Sequence, residues 1–326
     1  MTTRAVRFAK AGGPEVLEFD LVELEPPQPR EVTVRHTAIG VNFIDVYHRS
    51  GLYPVARLPS GIGVEGAGVI EATGHEASEW NIGDRVAYVG GSLGAYAERR
   101  NIAADKLVRL PEGVSEKDAA AIMLKGMTVE FLIRRAYTVQ PGQTVLWHAA
   151  AGGVGLIACQ WLRSLGVNVI GTVGSPAKAE LARKYGCQHT ILYQEENFPA
   201  RVRELTNGKG VPVVYDAVGK STFTGSLDCL SPRGMLVEFG NASGKPDPFD
   251  VSILANKGSL FLTRPTLFSY LADAEELRMS ANALFDVVQS GAVRPQIGQQ
   301  LALSAAQEAH RQLEARETTG SIVLVP

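Results

Sequence analysis

The stretch Thr144-Val145-Leu146-Trp147-His148-Ala149-Ala150-Ala151-Gly152-Gly153-Val154-Gly155 decides the fold. Its first half reads as a buried strand, its small residues as a tight turn, and its last glycines as the mouth of a helix. A helix entered this way points free N–H groups and the positive end of its dipole at whatever lies in front of it, which suits a dinucleotide pyrophosphate. The usual fingerprint is G-x-G-x-x-G, and here it reads Ala150-Ala151-Gly152-Gly153-Val154-Gly155, with alanine in place of the first glycine. Gly152 is expected to let the backbone approach the phosphates, and Gly155 to let the helix pack close to the sheet.

Downstream, strand-like and helix-like segments alternate. Val167–Val173, His189–Tyr193, Val213–Asp216, Gly234–Gly240 and Ser259–Thr263 read as strands. Ala177–Tyr185, Phe198–Thr206 and Thr222–Leu230 read as the helices between them. Together with the opening strand this predicts an α/β, Rossmann-type, doubly wound parallel six-stranded sheet, and the near-continuous apolar strands agree with cover on both faces. Upstream, residues 1–125 are turn-rich with short alternating stretches such as Val32–Ile39 and Arg85–Val89, which predicts a partly open β-barrel. After Pro265, Leu277, Ala281, Leu284, Phe285 and Val288 recur at helical spacing, with Gly291 beyond them. A second helix is expected from Ser304, as N-cap, to Ala315, followed by a strand Ser321–Val325. The expected division is 1–125, then a nucleotide-binding domain over 126–265, then a return segment 266–326 that completes the first domain.

Residues past the glycines choose the cofactor. NAD sites place Asp or Glu about 20 residues on, against the ribose 2′-hydroxyl. No acid occurs from Phe131 to Ala179, while Ser175 and Lys178 can donate to a 2′-phosphate. Lys178 could also be a solvated helix-face lysine, but with the acid absent the reading is NADP(H). Tyr193 could pack on the adenosine end.

Bulk properties narrow the classes. The net charge of -2 over 326 residues gives no support to a nucleic-acid partner or a membrane surface. Cys159, Cys187 and Cys229 are sparse and unpaired in spacing, which fits a reducing compartment. With no apolar signal core and no run long enough to span a bilayer, the expected location is the cytoplasm.

A barrel-like first domain, a central nucleotide domain and a C-terminal return resemble the medium-chain dehydrogenase/reductase superfamily. Many of its members hold zinc through an early Cys and a Gly-His-Glu. Here Gly63-Val64-Glu65-Gly66-Ala67-Gly68 has valine for that histidine, and Gly40-Val41-Asn42-Phe43-Ile44-Asp45 has no cysteine. Gly74-His75-Glu76 lies where a surface turn is expected, so no metal is expected. Asn42–Tyr47, Gly51–Pro54, Gly126–Thr128, Ala149–Gly155, Tyr215–Gly219, Phe239–Ser243 and Thr263–Pro265 are similar to the zeta-crystallin-like quinone oxidoreductases. The resemblance implies a GroES-like first domain, NADPH:quinone reductase activity and a homodimer paired through the edge strand Ser259–Pro265. It implies a cofactor site lined by Asn42, Tyr47, Thr128, Gly152, Gly153, Val154, Gly171, Ser175, Lys178, Tyr193, Phe239, Asn241 and Arg316; Gly240 is expected beside Phe239, and Met127 at the nicotinamide end because Gly126 marks the crossover between domains. Ala217 stands where the family pattern has Ser.

The nicotinamide carries the electrons, so the protein must orient it, exclude water and admit a flat acceptor. Asn42, Tyr47 and Tyr53 are the acceptor-side candidates, although either tyrosine could instead be a barrel-core residue. His148 reads as a satisfied core histidine, and Asp45 and Glu65 as structural partners. Reduction of an activated C=C bond on the same scaffold is the alternative chemistry and would need a positioned proton donor. A nucleotide-binding structural or RNA-associated protein is a third class, which the near-neutral charge disfavours.

Overall fold

Strands that are apolar on both faces need cover on both sides, and the central segment has it. The computed structural model describes residues 1–315 and 318–326. Among the described residues the chain divides into two units, one of 1–125, 271–289 and 295–326, the other of 126–270 and 290–294.

In the second unit six parallel strands lie in the order His189–Leu192, Asn168–Val173, Thr144–Trp147, Val211–Asp216, Leu230–Glu238 and Phe261–Thr263. Leu146, Ile170, Ile191, Val214 and Leu236 form one buried cluster with Val202 and Leu227 from the crossover helices Phe198–Leu205 and Phe223–Cys229. Enclosing each such side chain contributes roughly 1.5–3 kcal/mol. The edge strand is shorter than the sequence suggests. Gly258 and Ser259 both sit in the left-handed region, at φ 111° and 57°, so the chain is still turning there. Tyr270 stays with this unit because its ring stacks on Phe131 at 4.5 Å and lies under the Arg135 guanidinium at 5.1 Å.

In the first unit Glu31–Val41 is the organising strand. It pairs antiparallel with Glu65–Thr73, with Arg99–Ala103 and with the tail strand Ser321–Val325. Arg85–Val89 and Leu107–Arg109 extend one side of that sheet, and Ile297–Ala302 the other. A smaller sheet joins Glu18–Glu23, Thr2–Phe8 and Ser60–Gly61. Val34, Ile39, Ile70, Tyr88, Ile102 and Leu324 meet in its core. The helix Ala274–Gln289 buries Leu277, Ala281, Leu284 and Phe285, and Gly291 follows at φ 75°. Ser304 does not cap the last helix. It lies inside a 3-10 turn, Leu303–Ala305, which the Ala306 N–H closes onto Leu303 O, and the α-helix begins only at Ala306.

Candidate functional site

The nucleotide side is built by the turn after Thr144–Trp147. Ala149 takes φ 55°, and its carbonyl accepts from Gly152 N at 2.9 Å, folding the chain back before the helix Gly153–Ser164 begins. The two flanking glycines answer different demands. A Cβ on Gly155 would stand 2.4 Å from Ala149 O and 2.7 Å from Ala150 Cα, so that position is closed by the turn itself. A Cβ on Gly152 would meet only Ala149 O, at 3.3 Å, and otherwise open space. Gly152, Gly153 and Val154 remain partly accessible while Ala150, Ala151 and Gly155 are buried. The departure at Ala150 is absorbed by the neighbouring strand: a Cβ on Gly171 would lie 2.5 Å from the Ala150 methyl. One glycine of the fingerprint is thus supplied from the next strand.

Beneath the turn His148 is fully buried and fully used. The Asp216 carboxylate accepts from Ser226 Oγ at 2.8 Å, so Ser226 must accept from His148 Nε2 at 2.9 Å. His148 Nδ1 is then the acceptor for Thr172 Oγ1 at 2.9 Å. Burial lowers the imidazole below its ordinary range, in keeping with a neutral ring. The other Asp216 oxygen accepts from Val218 N, Gly219 N and Thr222 Oγ1, which fixes the next strand-to-helix turn.

Ser175 caps the helix Pro176–Lys184, its hydroxyl accepting from Lys178 N at 3.4 Å. Neither that helix nor Gly153–Ser164 carries an acid in its first turn, so no carboxylate competes for the free amides. Tyr193 is 37% exposed, and its hydroxyl would be 3.2 Å from a Cβ on Gly174, beside Ser175. Lys178 is half-buried on the same helix turn. This brings Gly171, Ser175, Lys178 and Tyr193 to one end of the sheet.

At the next strand end Trp147 packs on Tyr215 at 4.7 Å and on Phe239 at 5.7 Å. Gly240 is needed there because a Cβ would lie 2.5 Å from Ala217 O. Ala217 serves this turn through its carbonyl, which accepts from Ala242 N at 3.2 Å, so the alanine leaves the backbone arrangement intact. Glu238 pairs with Arg264 at 2.7 Å, and burial pushes its carboxyl up to about 7. The Asn241 amide spans the pair, accepting from Arg264 Nη2 at 3.1 Å and donating to Glu238 Oε1 at 3.3 Å. The sequence reading missed this pair, although an acid ending an apolar strand was a signal for it. Met127, expected at the nicotinamide end, has no exposed surface in the helix Glu116–Phe131. Thr128 is 8% exposed. Arg316 lies outside the described residues.

In the first unit Asn42 opens the helix Phe43–Ser50. Its N–H donates to Asp45 Oδ2 at 2.9 Å, and its amide donates to Glu65 Oε2 at 2.6 Å. Because a carboxylate can only accept, Glu65 fixes which way the Asn42 amide points. Glu65 Oε1 accepts from Leu124 N at 2.7 Å, and Lys125 Nζ stands 3.8 Å from Oε2. Burial raises the Glu65 carboxyl and lowers the Lys125 ammonium from their ordinary ranges. Gly40 makes room for this group, since a Cβ there would be 2.2 Å from both Glu65 Oε2 and Ala120 O. Lys125 went unnoticed in the sequence. Its signal was a single charge inside the apolar run Ala119–Met127.

Asp45 is fully buried, and burial pushes its carboxyl up to about 7. Tyr96 donates to its Oδ2 at 2.9 Å. Tyr47 and Tyr53 are half-buried rather than core residues, with rings 5.1 Å apart in an edge contact and His48 6.0 Å from Tyr53. Val64 is 3% exposed, and a Cβ on Gly63 would strike the Tyr96 ring at 2.3 Å. The zinc-ligand histidine position therefore holds a packed valine. His75 is exposed, beside Glu76. Among the described residues no three His, Cys, Asp or Glu side chains are placed to hold a metal ion.

Residues 28–112 match the alcohol dehydrogenase GroES-like domain, and residues 153–278 match the zinc-binding dehydrogenase family. A quinone oxidoreductase of Pseudomonas aeruginosa is 55% identical over 323 residues, 99% of each chain. The chain belongs to the quinone oxidoreductase branch of the medium-chain dehydrogenase/reductase superfamily. Within this branch the crystal structure of Escherichia coli quinone oxidoreductase complexed with NADPH superposes with a TM-score of 0.97, at 46% identity over 100% of both chains. A 2-haloacrylate reductase of a Burkholderia species is 45% identical over 97% of both chains.

Proposed function

We propose that this protein is an NADPH-dependent quinone oxidoreductase that passes electrons from the nicotinamide to a quinone without a metal ion. One observation carries the reading: the partly accessible residues Gly152–Val154 open a helix with no acid in its first turn, the Gly152 N–H closing the turn onto Ala149 O and the Gly153 and Val154 amides following it, and Ser175 and Lys178 stand at the acid-free end of the next strand. Its fit to the cofactor rests on Gly152, where a Cβ would meet Ala149 O at 3.3 Å and otherwise open space. When bound, NADPH supplies the hydride. Gly152, Gly153 and Val154 would hold the pyrophosphate, Ser175 and Lys178 the 2′-phosphate, and Tyr193 the adenosine. Thr128, Gly171, Phe239, Gly240 and Asn241 would complete that lining, with Asn42, Tyr47 and Tyr53 on the acceptor side.

The test is NADPH oxidation against ortho-quinones, para-quinones and enones, with NADH as control. Faster turnover with NADH sinks the cofactor assignment, and no turnover with any quinone sinks the reaction. The relative named for 2-haloacrylate reduction favours a second reading, reduction of an activated C=C bond, which the enone arm examines. The protein acts as a homodimer paired through the edge strand Phe261–Thr263, where Phe261 is 57% exposed. Light scattering should give twice the chain mass; a monomer at micromolar concentration refutes the pairing. Three buried free cysteines suit a reducing cytoplasm, and among the described residues no helix is long and apolar enough to cross a membrane.

A further inference from the structure

A buried lysine with unused donors costs stability, so its presence calls for a reason. Lys125 is 6% exposed. Of the three N–H groups on its ammonium, one donates to Val41 O at 3.3 Å. The Glu65 carboxylate beside it, at 3.8 Å, is beyond hydrogen-bonding distance. Glu65 is instead committed to Leu124 N and the Asn42 amide, so it balances the charge of Lys125 without consuming its donors. The Asn42 amide gives its NH₂ to the same carboxylate oxygen, while its side chain accepts from the Asp45 N–H in the capping box that opens the helix. The Lys125 ammonium is therefore held through Glu65 next to Asn42, a residue of the acceptor side in the proposed reaction.

We propose that Lys125 is a catalytic residue whose ammonium donates a hydrogen bond to the carbonyl oxygen of the quinone. The assignment rests on the quinone reductase reading above. The reduced nicotinamide would supply a hydride, which carries two electrons and one hydrogen; the quinone becomes the hydroquinone monoanion, and a single proton from water completes the hydroquinone. Lys125 remains protonated throughout; it stabilises the negative charge that gathers on the oxygen. Glu65 balances the charge of that ammonium and orients the Asn42 amide beside it.

The test compares Lys125→Met with the parent full-length chain, reading kcat/KM for 1,4-benzoquinone and, separately, the NADPH dissociation constant by fluorescence titration. Loss of one donor to a developing oxyanion predicts a fall of about 100-fold in kcat/KM, with NADPH affinity within about threefold of the parent. A kcat/KM within about threefold of the parent overturns the assignment. So does a loss of NADPH affinity large enough to account for the whole fall. Should Lys125→Met fail to fold because Glu65 is left buried without a cation, the Lys125→Met, Glu65→Gln double variant restores a neutral pair, and the same two criteria apply to it. A parent that reduces no quinone overturns the proposed function, and the role of Lys125 with it.

Discussion

Gly152 and Gly155 lie in one turn three residues apart, and replacing each by alanine should break a different property. At Gly155 the new methyl would sit 2.4 Å from Ala149 O and 2.7 Å from Ala150 Cα, both backbone atoms that cannot swing aside. Overpacking costs about 1–3 kcal/mol, contacts this short against backbone fall in the upper half of that range, about 2–3 kcal/mol, and alanine in a helix returns about 1 kcal/mol of it. A net loss of about 1–2 kcal/mol lowers Tm by roughly 2–8 °C in a unit of this size. At Gly152 the backbone, φ -77° and ψ 171°, suits alanine, and the nearest atom is 3.3 Å away. The poorer N-cap costs up to about 1 kcal/mol, offset by about 0.4–1 kcal/mol from the stiffer unfolded chain. Gly152→Ala should therefore melt with the parent. Its methyl, however, occupies the open side from which a pyrophosphate would reach the amides. Losing one charge-assisted hydrogen bond there costs about 1.5–3 kcal/mol, or about 10- to 150-fold in NADPH affinity. Differential scanning fluorimetry and fluorescence titration with NADPH separate the two effects. A Gly152→Ala chain that binds NADPH within twofold of the parent, or a Gly155→Ala chain that melts with it, refutes the division of labour between these glycines.

The remaining expectations concern other links in the same site. Lys178→Ala should raise KM for NADPH about tenfold while leaving KM for NADH near the parent value, because a 2′-phosphate contact is worth about 1.5 kcal/mol; equal effects on both cofactors would reassign Lys178 to the helix surface. Tyr47→Phe and Tyr53→Phe should change kcat with quinones less than about threefold, whereas a loss above about 100-fold with enones alone would make one of them the proton donor of C=C reduction. Asp45 is raised from 3.8 to about 7, so the folded state holds a proton that the unfolded state releases between those values. That contribution is present below pH 3.8 and is lost as pH rises through about 7. His36 and His310, lowered by burial to about 4 and about 3, act in the opposite sense, so the parent melting profile alone can be nearly flat. Asp45→Asn should therefore gain on the parent in Tm between pH 4 and pH 8, by the equivalent of at most about 4 kcal/mol. A pH-independent difference between the two chains would show that Asp45 is ionised throughout.

What the sequence disclosed depended on how far apart the interacting residues lie. The glycine turn was legible because its demands are local: Ala149, Gly152 and Gly155 constrain one another within seven positions, and the apolar strand before them is continuous. The compensation for Ala150 was not, because the space for its methyl is left by Gly171 on a different strand. Ile297–Ala302 escaped notice for a related reason. It is a half-exposed strand containing Gly298, Gln299 and Gln300, and only its pairing with Ser321–Val325 gives it order. On the acceptor side the separation is greater still. Asn42 could be recognised as a site residue, but the direction of its amide is set by Glu65, whose carboxylate fits only because Gly40 has no side chain and whose neighbouring charge is Lys125. Each of these four residues has an ordinary reading when taken alone: helix cap, strand acid, strand glycine, helix lysine. Their chemistry comes from burial together, because a carboxylate held by one amide, one peptide N–H and a nearby ammonium can balance a charge in an apolar interior while leaving that ammonium donors to spare. That condition is tertiary, and it is also why a catalytic role for Lys125 follows from the folded chain and not from its helical spacing.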